Sequence, residues 1–200
     1  MSICYTTYIY GDRYQDFIPL ILYSVYRSNP NAHVMLFLNS KIRGDLHAPI
    51  ELITPYYKNF DIIENTFDDC PKMNAVKAQS LRWVLWNEKF LDFDYLYYID
   101  SDILFIEEAP NLVEQHIRHM KYIKSDYCSN ILRQRSLKNT DIVQLYNSYR
   151  YGGLKNVFTY LFTSSALRMS GLHFVKTKEY FNYITKDIIE KYRKHFLSEI

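Results

Sequence analysis

Residues Asp94 to Ile106 read DYLYYIDSDILFI. The run Tyr95-Leu96-Tyr97-Tyr98-Ile99 is continuously apolar and rich in aromatic side chains, which predicts a central strand buried on both faces. Asp100 and Asp102 interrupt it, and Ile103-Leu104-Phe105-Ile106 resumes it, so all of Asp94–Ile106 is expected to be strand, with the acids near its C-terminal end. In extended backbone, side chains two positions apart share a face. Most D-x-D triplets are solvated turns. Acids set between apolar strand residues instead need a partner. Two adjacent carboxylates repel each other unless a proton or a cation intervenes. Their hard oxygens suit Mg²⁺ or Mn²⁺, and such an ion stabilises the charge on a departing diphosphate. In open α/β sheets, ligands bind at the edge where these acids fall.

Outward from this segment, the pattern is that of an α/β chain. Upstream, Ile3–Tyr10 reads as a first strand broken by Gly11-Asp12-Arg13. A helix is expected from Asp16, its N-cap, to Tyr26, with Pro19 tolerated in the first turn. His33–Leu38 (HVMLFL) reads as a buried strand and Phe60–Phe67 as another. Asp68-Asp69-Cys70-Pro71 signals a helix start. The helix is expected over Met73–Phe90, with Ala78, Leu81, Val84 and Leu85 on one face. Downstream, Leu112–Ile123 reads as helix, Ser125–Asn130 and Phe158–Met169 as strands or loops, and Gly171–Val175 (GLHFV) as a short strand. From Lys178, the positions Phe181, Ile184, Ile188 and Tyr192 predict an amphipathic terminal helix. Strand, helix, strand defines the α/β class. The 200 residues show no repeat or linker and suit one domain, 1–200.

Composition narrows the partners. A net charge of +2 without a basic run gives no pull toward nucleic acid. With 5 glycines and neither G-x-x-x-x-G-K-[ST] nor G-x-G-x-x-G, a glycine phosphate cradle is excluded. The three cysteines Cys4, Cys70 and Cys128 are odd in number and widely spaced, as expected of reduced cytosolic thiols. The N-terminal residues do not read as a signal peptide, and no apolar stretch reaches membrane-spanning length, so a cytoplasmic location is expected. Lys186, Lys191, Arg193 and Lys194 offer a basic face for a peripheral membrane surface or an acceptor, or a simple solvated face.

The stretch from Ser80-Leu81-Arg82-Trp83 to YLYYIDSDILF resembles the segment leading into D-x-D in GT-A glycosyltransferases, nucleotide-diphospho-sugar transferases of the glycogenin and galactosyltransferase-like kind. RMSGLHFVKTKEYF (Arg168–Phe181), and YCSN (Tyr127–Asn130) followed by Arg133, are similar to small bacterial-type and viral-type members. The likeness runs in order over most of the chain. It implies a Rossmann-like mixed central sheet flanked by helices, with a nucleotide-binding half over about 1–106 and an acceptor-side half over about 107–200. It implies transfer of a sugar from a nucleoside-diphosphate sugar, UDP over GDP, to an acceptor hydroxyl on a glycan, lipid or protein.

The resemblance also assigns residues. Asp102 would be the direct metal ligand, and Asp100 would bind the metal or the ribose. His173 would complete the metal site, and its imidazole favours Mn²⁺ over Mg²⁺. Arg82 would hold a D-x-D carboxylate or the nucleotide, as Lys77 would. Lys176, or Lys178, would meet the phosphates, although the motif H-x-x-G-x-x-K-P-W is absent. Thr6, Thr7 and Tyr8 on the first strand edge would meet base and ribose, followed at the turn by Asp12 and Tyr14. Asp126, Asp141 and Glu179 are the candidate bases of an inverting reaction; the likeness leans toward retention, which needs none. Two rivals stand beside this reading. A HAD-type phosphohydrolase also carries D-x-D, but wants Thr or Val where Leu104 stands. The other is a non-catalytic nucleotide-sugar-binding module on the same fold.

Overall fold

The computed structural model describes residues 1–70, 72–129, 132–133, 149–150, 153–154, 167–168 and 172–199. Its first strand, β1 (Ile3–Ile9), is buried at every position. That burial follows from pairing on both sides: β1 lies between β2 (His33–Leu38) and β4 (Tyr95–Tyr98), parallel to each. β3 (Phe60–Ile63) adds in parallel beyond β2. On the other side, β8 (His173–Lys176) pairs antiparallel with β4, and β5 (Cys128–Ser129) pairs antiparallel with β8. The result is a mixed 6-stranded sheet of order β3-β2-β1-β4-β8-β5, with helices against it: the α/β class expected.

The chain divides into two compact units, Met1–Ser129 with Gly171–Ile200, and Asn130–Ser170. The described part of the second includes one antiparallel pair, β6 (Leu132–Arg133) with β7 (Leu167–Arg168). The first unit takes β8 from beyond residue 170 and sets it beside β4. Its sheet therefore draws on both sides of the expected division near residue 106.

Alternation along the strands sends side chains to two cores. On one face, Cys4, Tyr8, Met35, Phe37, Leu96 and Tyr98 pack with Leu81, Val84, Leu85 and Phe90. On the other, Tyr97 packs against Tyr5, Phe174 and His116, and the His116 ring stacks on Phe174 at 4.5 Å. Beyond the short α1 (Asp12–Gln15), Pro19 opens α2 (Ile18–Ser28), which buries Ile18, Ile21, Leu22 and Val25; its N-cap is Phe17, not the expected Asp16. α3 (His47–Ile53) follows β2. α5 (Leu112–Ile123) has the expected bounds. The Asn111 side chain caps it by accepting from the Glu114 N–H, and Lys124 ends it in the left-handed region at φ 53°.

Two long elements are shorter than expected. The helix over Met73–Phe90 is α4 (Ala75–Leu81), capped by Asn74, followed by 3-10 turns at Arg82–Val84 and Glu88–Asp92. The buried spacing of Ala78, Leu81, Val84 and Leu85 holds across that break because a 3-10 turn keeps the same face inward. The terminal helix is α6 (Thr177–Tyr183) and α7 (Lys186–Glu199), parted at Ile184-Thr185. Among the described residues, no helix is long and apolar enough to cross a membrane.

Candidate functional site

The expected strand Asp94–Ile106 is also shorter: β4 covers Tyr95–Tyr98 only. The reason is its partners. β1 and β8 pair with Tyr95–Tyr98, and the last link is the Ile99 N–H donating to the Thr6 carbonyl at 2.9 Å. Past Ile99, which is fully buried, the chain leaves the sheet and turns at Ser101-Asp102. The second apolar run is a loop. Phe105 folds back so that its ring meets Tyr5 at 4.8 Å, while Leu104 and Ile106 are exposed. The acids thus stand at the C-terminal edge of a central strand, as expected, but on a turn rather than within a strand.

Asp100 and Asp102 have different surroundings. Arg82 Nη1 donates to Asp100 Oδ1, an ion pair whose side chains are 13% and 30% exposed. Arg82 reaches it from the 3-10 turn after α4. Its guanidinium lies over the Trp83 ring at 5.0 Å, and its Nε is buried without a hydrogen-bond partner. Asp102 is exposed and has no hydrogen bond or ion pair with any described residue.

Strand register sorts the remaining candidates. His173 pairs with Tyr98, two residues before Asp100, so it stands at the acids' end of the sheet. Its ring meets Trp83 edge-on at 5.6 Å and Tyr180 at 6.0 Å. Lys176 pairs with Tyr95, at the opposite end of β4, about 10 Å along the strand at the usual rise. The phosphate-binding role expected of Lys176 therefore has the wrong edge of the sheet, and Lys178 follows it there. Glu179, also in α6, and Asp126, just before β5, lie toward that same edge. Asp141 falls outside the described residues.

The first-strand candidates are inside the protein. Thr6 and Thr7 are fully buried mid-strand, with Oγ1 atoms that have no partner. Tyr8 is 6% exposed, and its hydroxyl donates to the Thr66 carbonyl at 3.1 Å. All three belong to the core in this conformation, because they lie within β1, short of its C-terminal end at Ile9. Lys77 is buried too, and its Nζ donates to the Leu197 carbonyl at 3.1 Å, fastening α4 to α7. Of the turn residues, Tyr14 is exposed and the Asp12 carbonyl accepts from Arg43 Nη1 at 2.8 Å.

Residues not singled out from the sequence shape this edge. Gln15 donates from Nε2 to Ser40 Oγ and the Lys41 carbonyl, and accepts from the Arg43 N–H, tying the turn after β1 to the loop after β2. The Tyr10 hydroxyl donates to the Met73 carbonyl at 2.9 Å, tying β1 to the approach to α4. Trp83 holds Arg82 on one contact and His173 on another. Only its place beside Arg82 in the sequence hinted at this.

For a divalent cation, the donor chemistry of the edge fits in part. Asp102 supplies an exposed carboxylate without a partner, and Asp100 keeps one oxygen outside its bond to Arg82. Among the described residues, however, no three His, Cys, Asp or Glu side chains stand together as a group able to hold a metal ion. His173 is on the right edge without being gathered to the carboxylates.

No protein-family model matches the chain, and no curated protein matches it. Solved structures similar to it are glycosyltransferases. The galactosyltransferase LgtC, solved with donor and acceptor sugar analogs, is 13% identical with a TM-score of 0.47, over 97% of this chain and 66% of that one. The mannosyltransferase Ktr4p from S. cerevisiae, solved with GDP, is 8% identical with a TM-score of 0.49, over 98% of this chain and 62% of that one. The glycosyltransferase GlyE from Streptococcus pneumoniae is 14% identical with a TM-score of 0.46, over 99% of this chain and 38% of that one. The chain thus spans between 38% and 66% of the length of these three.

Proposed function

We propose that the chain is a GT-A-type glycosyltransferase that moves a sugar from a nucleoside-diphosphate sugar to an acceptor hydroxyl. The observation that carries this reading is the unequal pair at the end of β4: Asp100 tied to Arg82, Asp102 exposed and without a partner. An arginine clamped on one carboxylate fixes the turn that presents the other. Asp102 is then the group that meets the ligand, with Asp100 beside it and His173 as the third donor on the same edge. These residues would hold Mn²⁺ in preference to Mg²⁺. When bound, that ion supplies Lewis-acid stabilisation of the departing diphosphate. Arg82 orients Asp100, Trp83 limits the swing of Arg82 and of the His173 ring, and the Phe105 return pins the far end of the acidic loop. A UDP-sugar is favoured over a GDP-sugar as donor, and the acceptor is a glycan or another hydroxyl compound.

The test is a thermal-shift panel of UDP- and GDP-sugars with and without Mn²⁺. The expected result is metal-dependent stabilisation by a UDP-sugar, lost in Asp102→Ala. Phosphatase turnover without any nucleotide response would replace this reading with the hydrolase. Stabilisation without sugar transfer or donor hydrolysis would replace it with a binding module.

A further inference from the structure

Away from the acidic turn, a cleft of about 640 Å³ opens between the loop after β3, the residues after the Arg82–Val84 turn, and α7. None of Arg82, Asp100, Asp102 or His173 lines it. Its volume is within the range of small-molecule sites. One wall is preformed. Asn65 and Phe67 both sit in the left-handed region, at φ 54° and 59°, which is costly for a bulky residue. Three hydrogen bonds hold them there. The Thr66 N–H donates to the Leu38 carbonyl at 2.7 Å, the Tyr8 hydroxyl to the Thr66 carbonyl at 3.1 Å, and the Cys70 N–H to the Phe67 carbonyl at 3.1 Å.

The lining chemistry selects the ligand. Phe37 and Trp86 give an apolar floor. The lining carries acceptor-only carboxylates, Glu64, Asp68, Asp69 and Glu190, and the donor-only cations Lys186 and Arg193, of which Arg193 donates to Glu190 at 3.5 Å. An anion would face the carboxylates, and a cation would face Lys186 and Arg193. A ligand whose every polar group both donates and accepts, set around an apolar ring, satisfies both sets. We propose that this cleft binds a neutral saccharide at a site separate from the transfer centre. The assignment goes beyond the proposed transfer reaction and does not depend on it.

The test is saturation-transfer NMR on the full chain, with methyl α-D-mannopyranoside, methyl β-D-galactopyranoside and maltose as probes, and glucuronate and glucosamine as charged counterparts. A neutral probe is expected to receive transfer, unchanged by saturating UDP or GDP with Mn²⁺ and unchanged in Asp102→Asn. Trp86→Phe, which keeps a ring but trims the aromatic surface of the lining, is expected to weaken binding about fivefold. Asp69→Asn, on the exposed rim, is expected to weaken it similarly and covers the case in which Trp86→Phe does not fold. Displacement of the sugar by nucleotide, a stronger signal from either charged sugar, or no signal from any neutral probe would overturn the proposal. A retained sugar signal with no nucleotide response in the thermal-shift panel defeats the transfer reading alone. The reverse pattern defeats the cleft alone.

Discussion

At the scale of single residues, the two aspartates of the D-x-D motif differ in what they meet: Asp100 pairs with Arg82, and Asp102 is exposed. Asp100 is a structural anchor because Arg82 is there to meet it. Arg82→Ala would leave a carboxylate that is 30% exposed without its cation. The expected cost is about 1–3 kcal/mol of stability, with about tenfold weaker nucleoside-diphosphate binding read by calorimetry in Mn²⁺. Arg82→Lys should recover stability better than binding, because an ammonium lacks the planar guanidinium stacked on Trp83. The meeting of Arg82 with a D-x-D carboxylate was legible through the family resemblance of that segment. The burial of Thr6, Thr7 and Tyr8 was not, because a strand's own residues do not say where it ends or what covers its faces.

His116 is a second residue whose setting has a measurable consequence. Burial, with smaller contributions from His119 and His173, pushes its pKa down from 6.5 to about 3. The folded chain therefore holds His116 neutral where the unfolded chain already takes up a proton. Its contribution to stability is fully present above pH 6.5 and falls as pH drops toward 3. The slope is at most about 1.4 kcal/mol per pH unit. Urea unfolding at pH 7 and pH 5 should show a loss of about 2 kcal/mol from this residue. His116→Phe, which keeps the stack on Phe174, should flatten that dependence.

At the scale of elements, register did the sorting that composition could not. His173 and Lys176 are three positions apart in one strand, yet they stand at opposite ends of β4 because each has a fixed partner there. Lys77 makes a similar point about helices. A buried lysine near a site suggests phosphate binding, but its ammonium is spent on the Leu197 carbonyl of α7. Lys77→Met is therefore expected to lower the melting temperature by about 2–4 °C per kcal/mol of lost bonding, while leaving the nucleotide affinity unchanged; a selective fall in affinity would restore Lys77 to the site. The strands β1, β2 and β4 were readable from their apolar runs, and α5 from its sequence. The break after α4 was not, because a 3-10 turn preserves the buried face that marks a helix.

At the scale of the whole molecule, local patterns were enough for the α/β class and for the place of the acids at the C-terminal edge of a central strand. What they did not carry was long-range pairing, since nothing within GLHFV announces that it will run antiparallel beside β4. That insertion has a consequence for how the protein comes into being. β3, β2, β1 and β4 are all synthesised by residue 98, and they can pair as they emerge. The neighbour that covers β4 is not made until residues 173–176. For more than seventy residues of translation, a nascent chain therefore carries a hydrophobic strand with one unsatisfied row of backbone groups, the arrangement most prone to pairing with another chain. The late strand is thus a closing seam, and the hazard ends only when the ribosome has delivered it.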